Sequence, residues 1–177
     1  VSGKSPEHAT GLVYSQEPAA QMVAQVAQPS PGMKVLDLAA APGGKSTQLA
    51  AYLAGEGLLV SNEISSKRAK ILVENMERFG VTNVVVTNES ADRLAKVFKG
   101  YFDLIVLDAP CSGEGMFRKQ PDAIDYWSLD YPIQCASLQR EILEDAVTML
   151  AEGGRLVYST CTWAPEENEE IVNWLLE

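Results

Sequence analysis

The sequence predicts an α/β fold built on a doubly wound parallel sheet, and three observations support this prediction. Short apolar runs alternate with longer runs of helical period along most of the 177 residues. The apolar runs are continuous, which is typical of parallel strands that are buried on both faces. Small or polar residues follow several runs directly, at the edge where such sheets bind ligands. We therefore expect right-handed crossovers and a ligand crevice beyond the carboxyl ends of the strands.

From residue 31 onward, this pattern predicts five strands and four helices. The strands cover residues 34–38, 58–60, 84–86, 102–107 and 155–159. The helices cover residues 46–54, the stretch from the Ser65 or Ser66 cap to Gly80, residues 137–151, and the stretch from Pro165 to the C-terminus.

Apolar residues at helical spacing assign an inward face to the last three helices. These residues are Leu72, Met76 and Phe79 in the second helix, Leu138, Ile142, Ala146 and Met149 or Leu150 in the third, and Ile171, Trp174 and Leu175 in the fourth. Gly153-Gly154 is expected to close the third helix. Glu166 and Glu167 suit the positive end of the fourth helix dipole.

Composition restricts the class of protein. A hydrophobic content of 46% suits one globular domain, and three cysteines, an odd number, favour free thiols in a reducing compartment. We find no charged-then-apolar leader and no run of membrane-spanning length, so we expect a cytoplasmic location without membrane contact. The net charge of −10 is the wrong sign for a surface that binds phosphates unaided.

Two regions are expected along the chain. Residues 1–30 form an N-terminal lead-in and first helix, and residues 31–177 form the core of a single domain. His8, the only histidine, lies in the lead-in and is expected to be solvated rather than a ligand. No C-x-x-C or H-x-x-x-H pair is present, so no metal site is expected.

A turn of small residues follows the first strand and suits the close approach of a ligand. It comprises Ala39, Ala40, Ala41, Pro42, Gly43, Gly44 and Lys45. The helix after it offers free N–H groups and a positive dipole end, although the turn matches neither G-x-G-x-x-G nor the P-loop. Glu63 ends the second strand about 20 residues past the glycines, where a carboxylate can accept both ribose hydroxyls. A nucleoside cofactor is favoured over a plain tight turn.

Two cysteines stand just beyond apolar runs. Cys111 follows Asp108 after the fourth strand, and Cys161 follows the fifth strand. Both thiols and the carboxylate are expected to meet in one crevice, although free cysteines are also common as small buried hydrophobes. Cys135 matches no such pattern and is expected to be structural. A thiolate, an acid and a cofactor in one crevice suit covalent catalysis.

Three segments together resemble the Sun/Fmu-type RNA cytosine-5 methyltransferases. They are residues 36–45, residues 108–113 and residues 159–162, the last followed by Pro165-Glu166-Glu167-Asn168-Glu169. The resemblance covers essentially the whole chain. It implies a Rossmann-like methyltransferase fold, S-adenosylmethionine as cofactor, and a cytosine in RNA as substrate, ribosomal RNA rather than transfer RNA. It also implies that residues 31–177 are a methyltransferase catalytic core.

The same resemblance assigns roles to individual residues. Cys161 is the nucleophile, Cys111 assists release, and Asp108 lies near the cytosine ring and the methionine end of the cofactor. The cofactor residues are Ala39 to Lys45, Glu63 on the ribose, Arg68 beside it, and Ser90, which stands where the family commonly has an aspartate. DNA cytosine-5 methyltransferases carry their nucleophile in a Pro-Cys motif after the fourth strand, so Cys111 is the competing assignment.

The resemblance also implies that parts of the protein lie outside these 177 residues. Methyltransferases of this class add two more strands after the helix that begins near Pro165, and this family has RNA-binding segments on either side. We expect those segments to hold most of the RNA, while residues 113–119 stack on or steer a flipped base, or form an ordinary exposed turn. A non-catalytic cofactor-binding domain and a methyltransferase for another substrate stay as alternatives.

Overall fold

Five parallel strands form the centre of the protein in a computed structural model that describes residues 5–177. In chain order they are β1 (Lys34–Asp37), β2 (Leu58–Asn62), β3 (Val84–Thr87), β4 (Phe102–Asp108) and β5 (Leu150–Ser159). Their spatial order is β3-β2-β1-β4-β5, and every pair is parallel. The chain therefore reverses its direction of winding between β1 and β4, which is where sheets of this kind bind ligands.

Seven helices accompany the strands in the described residues. They are α1 (Pro6–Ala9), α2 (Pro18–Ala27), α3 (Gly44–Leu53), α4 (Ser66–Arg78), α5 (Ala91–Val97), α6 (Tyr131–Met149) and α7 (Glu169–Leu176). Three turns of 3₁₀ helix are at Glu114–Met116, Pro121–Tyr126 and Pro165–Glu167. The predicted α/β class is confirmed. No helix in residues 5–177 is long and apolar enough to cross a membrane.

The central strands β1, β2 and β4 are buried on both faces, as their continuous apolar runs require, whereas the edge strands β3 and β5 are only partly buried. Leu104 and Val106 of β4 pack with α2 and α3 on one side, whereas Ile105 and Leu107 pack with α5, α6 and α7 on the other. Alternate residues of one strand thus belong to two hydrophobic clusters. Removing apolar surface from water contributes about 25 cal/mol per Å² to stability. Both clusters therefore stabilise the sheet edge that carries the site.

The phase of α6 differs from the prediction. The helix begins at Tyr131, six residues before the expected start, and its buried face includes Gln139 and Leu143. Leu138, expected inward, is 45% exposed, whereas Ile142 is partly buried, Ala146 and Met149 are buried, and Leu150 begins β5. The reason is that Gln139 is a buried polar residue whose amide donates to Pro110 O at 2.9 Å. An apolar pattern cannot identify a face that carries a glutamine.

Helix ends also differ from the sequence prediction. Gly153 and Gly154 lie inside β5, where the strand bulges against Phe102, and therefore do not close α6. Residues 165–167 form a 3₁₀ turn, α7 starts at Glu169, and Glu167 is buried instead of facing a dipole. Phe79 caps α4 half-buried against Tyr14. The seven residues of α5, with Leu94 alone buried, are too short for a visible period.

The lead-in packs on the body of the protein. Ala24 and Ala27 of α2 are fully buried in the core, whereas α1 has no buried residue. His8 is not freely solvated as predicted, because its Nε2 lies 2.6 Å from Arg78 Nη1 and the side chain is half-buried. Residues 1–4 of the predicted 1–30 region lie outside the described residues.

Candidate active site

A cavity of about 300 Å³ opens at the carboxyl edge of the sheet, between β1 and β4. Its wall combines Glu63 after β2, Asp108 at the end of β4, and both Cys111 and Cys161. Leu38, Ile64 and Ala91 supply apolar surface. The strand ends predicted from sequence therefore do meet in one crevice.

The turn after β1 is anchored from below by a buried polar cluster. Ser46 Oγ donates to Asp37 Oδ2 at 2.7 Å and lies 2.8 Å from Ser61 Oγ, so it joins α3 to β1 and β2. Burial raises the pKa of Asp37 to about 6, although the hydrogen bond from Ser46 opposes that shift. Sequence reasoning had not assigned Asp37 a role. It holds the turn in place without lining the cavity.

The predicted cofactor turn contributes to the cavity unevenly. Ala39 and Ala41 line it, whereas Ala40, Pro42, Gly43, Gly44 and Lys45 do not. A Cβ on Gly43, which has φ of +120°, would meet Leu72 and Met76 side chains at 3.2 Å, so glycine here allows the turn to pack on α4.

Glu63 is held rigidly at the cavity wall. Its side chain is 2% exposed, and its Oε1 accepts from Ser65 N at 2.9 Å. Arg68 Nη2 lies 3.6 Å from Glu63 Oε2 and donates to Ala41 O at 2.7 Å. Arg68 therefore bridges the turn and the carboxylate, beside the position predicted for a ribose.

Ser90 lies outside the cavity wall. It caps α5, and its hydroxyl donates to Asp92 Oδ1 at 2.5 Å. Its neighbours Glu89 and Ala91 line the cavity instead. Glu89 was not identified from sequence, although it shares with Glu63 the signal of an acid just past a strand end.

Asp108 accepts hydrogen bonds on both carboxylate oxygens. Lys45 Nζ donates to Oδ2 at 2.7 Å, and Ser159 Oγ donates to Oδ1 at 2.8 Å. Lys45, predicted as a cofactor residue, is thus an ion-pair partner of the acid beside the thiols.

The two predicted reactive thiols are in contact. Cys111 Sγ lies 3.0 Å from Cys161 Sγ and also accepts from Cys161 N at 3.2 Å. The side chain of Cys161 is exposed, whereas Cys111 is half-buried. Cys135 is buried on α6, away from the cavity wall, in agreement with a structural role.

Contact makes the two thiols chemically different. The hydrogen bond between the two sulfur atoms, together with burial, raises the pKa of Cys111. The same hydrogen bond lowers the pKa of Cys161. Cys161 is therefore the more readily ionised of the two thiols.

Several side chains of the loop after Cys111 contact other parts of the protein. Phe117 packs edge-to-face on Trp127 at 6.4 Å, and Lys119 pairs with Glu17. Arg118 is exposed. Gly115 N donates to Cys161 O at 2.9 Å, and a Cβ at Gly115 would approach that oxygen to 2.6 Å. A glycine is required at this position to support Cys161.

Comparisons with known proteins agree with this geometry. A family profile described as 16S rRNA methyltransferase RsmB/F matches residues 24–177. A ribosomal RNA small subunit methyltransferase F from Escherichia coli O17:K52:H18 is 44% identical over 99% of the chain, which spans 37% of that relative. The solved structure of PH0851 is similar, with a TM-score of 0.93 and 35% identity over 97% of this chain and 39% of its own. The structure of NSun6 from Pyrococcus horikoshii with SFG has a TM-score of 0.90 and 33% identity over 99% of this chain and 45% of its own.

Removing the Cys111 thiol is expected to raise the pKa of Cys161, since the S–H donor stabilises the Cys161 thiolate. In Cys111→Ala, the midpoint of iodoacetamide alkylation at Cys161, followed by peptide mass spectrometry between about pH 6 and 10, moves upward. Cys135→Ala is the matched control and leaves it unchanged. A midpoint that stays or falls in Cys111→Ala would show that Cys111 is not the donor.

Proposed function

The chain belongs to the 16S rRNA methyltransferase RsmB/F family, and from that premise we propose that it transfers a methyl group from S-adenosylmethionine to C5 of a cytosine in ribosomal RNA. One observation carries the proposal. Two thiols in contact, one with a raised and one with a lowered pKa, stand at the wall of a cavity that is also lined by three carboxylates, those of Glu63, Glu89 and Asp108. That combination suits covalent activation of a pyrimidine ring.

The cavity suits a nucleoside-containing cofactor. Glu63 offers a fixed carboxylate to ribose hydroxyls, and Leu38, Ile64 and Ala91 offer apolar surface to a flat base. One structural neighbour was solved with SFG, an analogue of S-adenosylmethionine. When bound, S-adenosylmethionine supplies an electrophilic methyl group on a sulfonium centre.

The reaction needs a covalent step because cytosine C5 is a poor nucleophile. The Cys161 thiolate adds to C6 and forms an S–C6 bond, the C5–C6 double bond opens, and N3 takes up a proton. Asp108 lines the cavity and accepts from Lys45 Nζ at 2.7 Å, so the Lys45 ammonium supplies that proton through the Asp108 carboxylate. The ring is then an enamine whose C5 can form a bond to the methyl carbon.

Release reverses the addition. A base takes the C5 proton, the S–C6 bond breaks with its electron pair on Cys161 sulfur, and the C5–C6 double bond forms again as N3 returns its proton to the Lys45–Asp108 pair. The S–H of Cys111, 3.0 Å away, stabilises that sulfur as a leaving thiolate. Exposure and a lowered pKa favour Cys161 over Cys111 as the nucleophile.

Ribosomal RNA is proposed as the substrate because the matching family and the similar proteins are ribosomal RNA methyltransferases by name. The chain has a net charge of −10, which opposes binding of a phosphate backbone. It also spans only 37% of those relatives. We therefore assign most of the RNA-binding surface to segments beyond these residues.

Glu63→Ala is expected to weaken S-adenosylmethionine binding by about 1.5 to 3 kcal/mol, the usual worth of hydrogen bonds to a charged group. This raises Kd about 10- to 150-fold in titration calorimetry. Glu74→Ala, an exposed acid on α4, is the control and keeps the Kd of the unaltered protein. An unchanged Kd in a Glu63 variant that unfolds at the normal temperature would remove Glu63 from the cofactor site.

Replacing the two cysteines one at a time should stop the reaction at different steps in the full-length protein. Cys161→Ser abolishes methylation and forms no adduct, because a hydroxyl is far less nucleophilic than a thiolate. Cys111→Ser still adds and transfers the methyl group and then stalls, so protein and RNA migrate together on a denaturing gel. A stalled adduct in Cys161→Ser instead would exchange the two roles.

A further inference from the structure

A buried carboxylate that the proposed reaction does not use lies behind the two thiols. Glu167 is fully buried in the 3₁₀ turn before α7. It has no cationic partner among the described residues, and it accepts from Ser112 N at 3.1 and 3.2 Å, from Gln139 Nε2 at 2.7 Å and from the Ser112 hydroxyl. A buried charge is costly unless such donors compensate it, so this arrangement depends on their positions.

These hydrogen bonds hold Pro110 and Ser112, the two residues that flank Cys111 in sequence. Ser112 follows Cys111 directly and donates to Glu167 from its backbone and its side chain. Gln139 Nε2 donates to Glu167 and also to Pro110 O, at 2.9 Å, just before Cys111. Glu167 therefore fixes the Cys111 segment from both sides, directly and through Gln139.

Asn168, the next residue, fixes the segment around Cys161 in the same way. Thr160 Oγ1 donates to Asn168 Oδ1 at 2.7 Å, and Asn168 Nδ2 donates to Thr162 O at 3.2 Å. Thr160 and Thr162 flank Cys161 in the chain. Tyr158 of β5 also donates to Glu167 O at 2.7 Å, which joins the dipeptide to the strand that leads into Cys161.

We propose that Glu167 and Asn168 are positioning residues that set the distance and orientation between the Cys111 and Cys161 sulfur atoms. Adjacent side chains on one turn hold the flanks of thiols that are 50 residues apart in sequence. Neither residue touches a reacting atom. Their consequence for methyl transfer rests on the proposed function, whereas their effect on the thiol pair does not.

When Glu167 is replaced, loss of its charge and loss of its positioning contacts should change the pKa of Cys161 in opposite directions. The negative charge of Glu167 raises the pKa of Cys161, so loss of the charge alone would lower that pKa. Loss of positioning moves the Cys111 donor away, which raises it. The charged or titratable groups around the pair are Asp108, Glu114, Tyr131, Cys135, Tyr158 and Glu167.

The test uses Glu167→Gln and Asn168→Ala in the full-length protein. Glu167→Gln keeps the volume but presents an amide donor to groups that donate, and Asn168→Ala releases the Cys161 flanks without a change of charge. We expect iodoacetamide alkylation of Cys161 near neutral pH to slow about tenfold in both variants, as for a pKa rise of about one unit. Glu169→Gln removes an exposed acid two residues away and is the matched control.

Faster or unchanged alkylation in both folded variants would overturn the proposal, and a Glu167→Gln protein that does not fold leaves the decision to Asn168→Ala. Alkylation needs neither RNA nor cofactor, so the two proposals fail separately. If the unaltered protein does not methylate ribosomal RNA but the variants slow alkylation, the proposed function alone fails. If it methylates and the variants alkylate normally, the positioning role alone fails.

Discussion

The parallel pairing of β4 with β5 determines where the two thiols lie. Asp108 is in register with Ser159 at the end of this pair, and Ala109 N donates to Ser159 O at 2.8 Å. Cys111 and Cys161 leave the sheet within three residues of that point, so their loops begin at one level of one edge. Because β4 is buried on both faces, a slip of its register against β5 would displace its core residues, so the apolar core also fixes the reactive pair.

Activation of Cys161 follows from this proximity and not from a neighbouring cation. Its lowered pKa has the Cys111 hydrogen bond as the largest cause, while burial and the carboxylates Asp108 and Glu167 oppose it. Lys45 is paired with Asp108, so its charge neutralises the acid beside the cavity. Contact between the two thiols thus lowers the pKa of Cys161 and raises that of Cys111.

Most of the fold could be predicted because continuous apolar strands and amphipathic helices follow directly from burial. The positions of Asp108, Cys111 and Cys161 followed from strand ends, since parallel strands deliver their last residues to one edge. Buried polar residues could not be predicted in this way. The buried face of α6 was predicted wrongly because it includes Gln139, and Glu167 was predicted to face a helix dipole although it is buried. The hydrogen-bond partners that hold these two side chains lie 28 or more residues away in sequence. Ser90 was placed by resemblance and faces Asp92 instead.

The most direct measurement traps the full-length protein on RNA that contains 5-azacytidine, whose ring nitrogen at position 5 leaves no proton to eliminate. Trypsin places Cys111 in peptide 100–118 and Cys161 in the peptide that begins at Leu156, so mass spectrometry identifies the attached thiol. We predict a nucleotide adduct on the peptide that begins at Leu156. An adduct on peptide 100–118, or none from folded protein that binds S-adenosylmethionine, would contradict it.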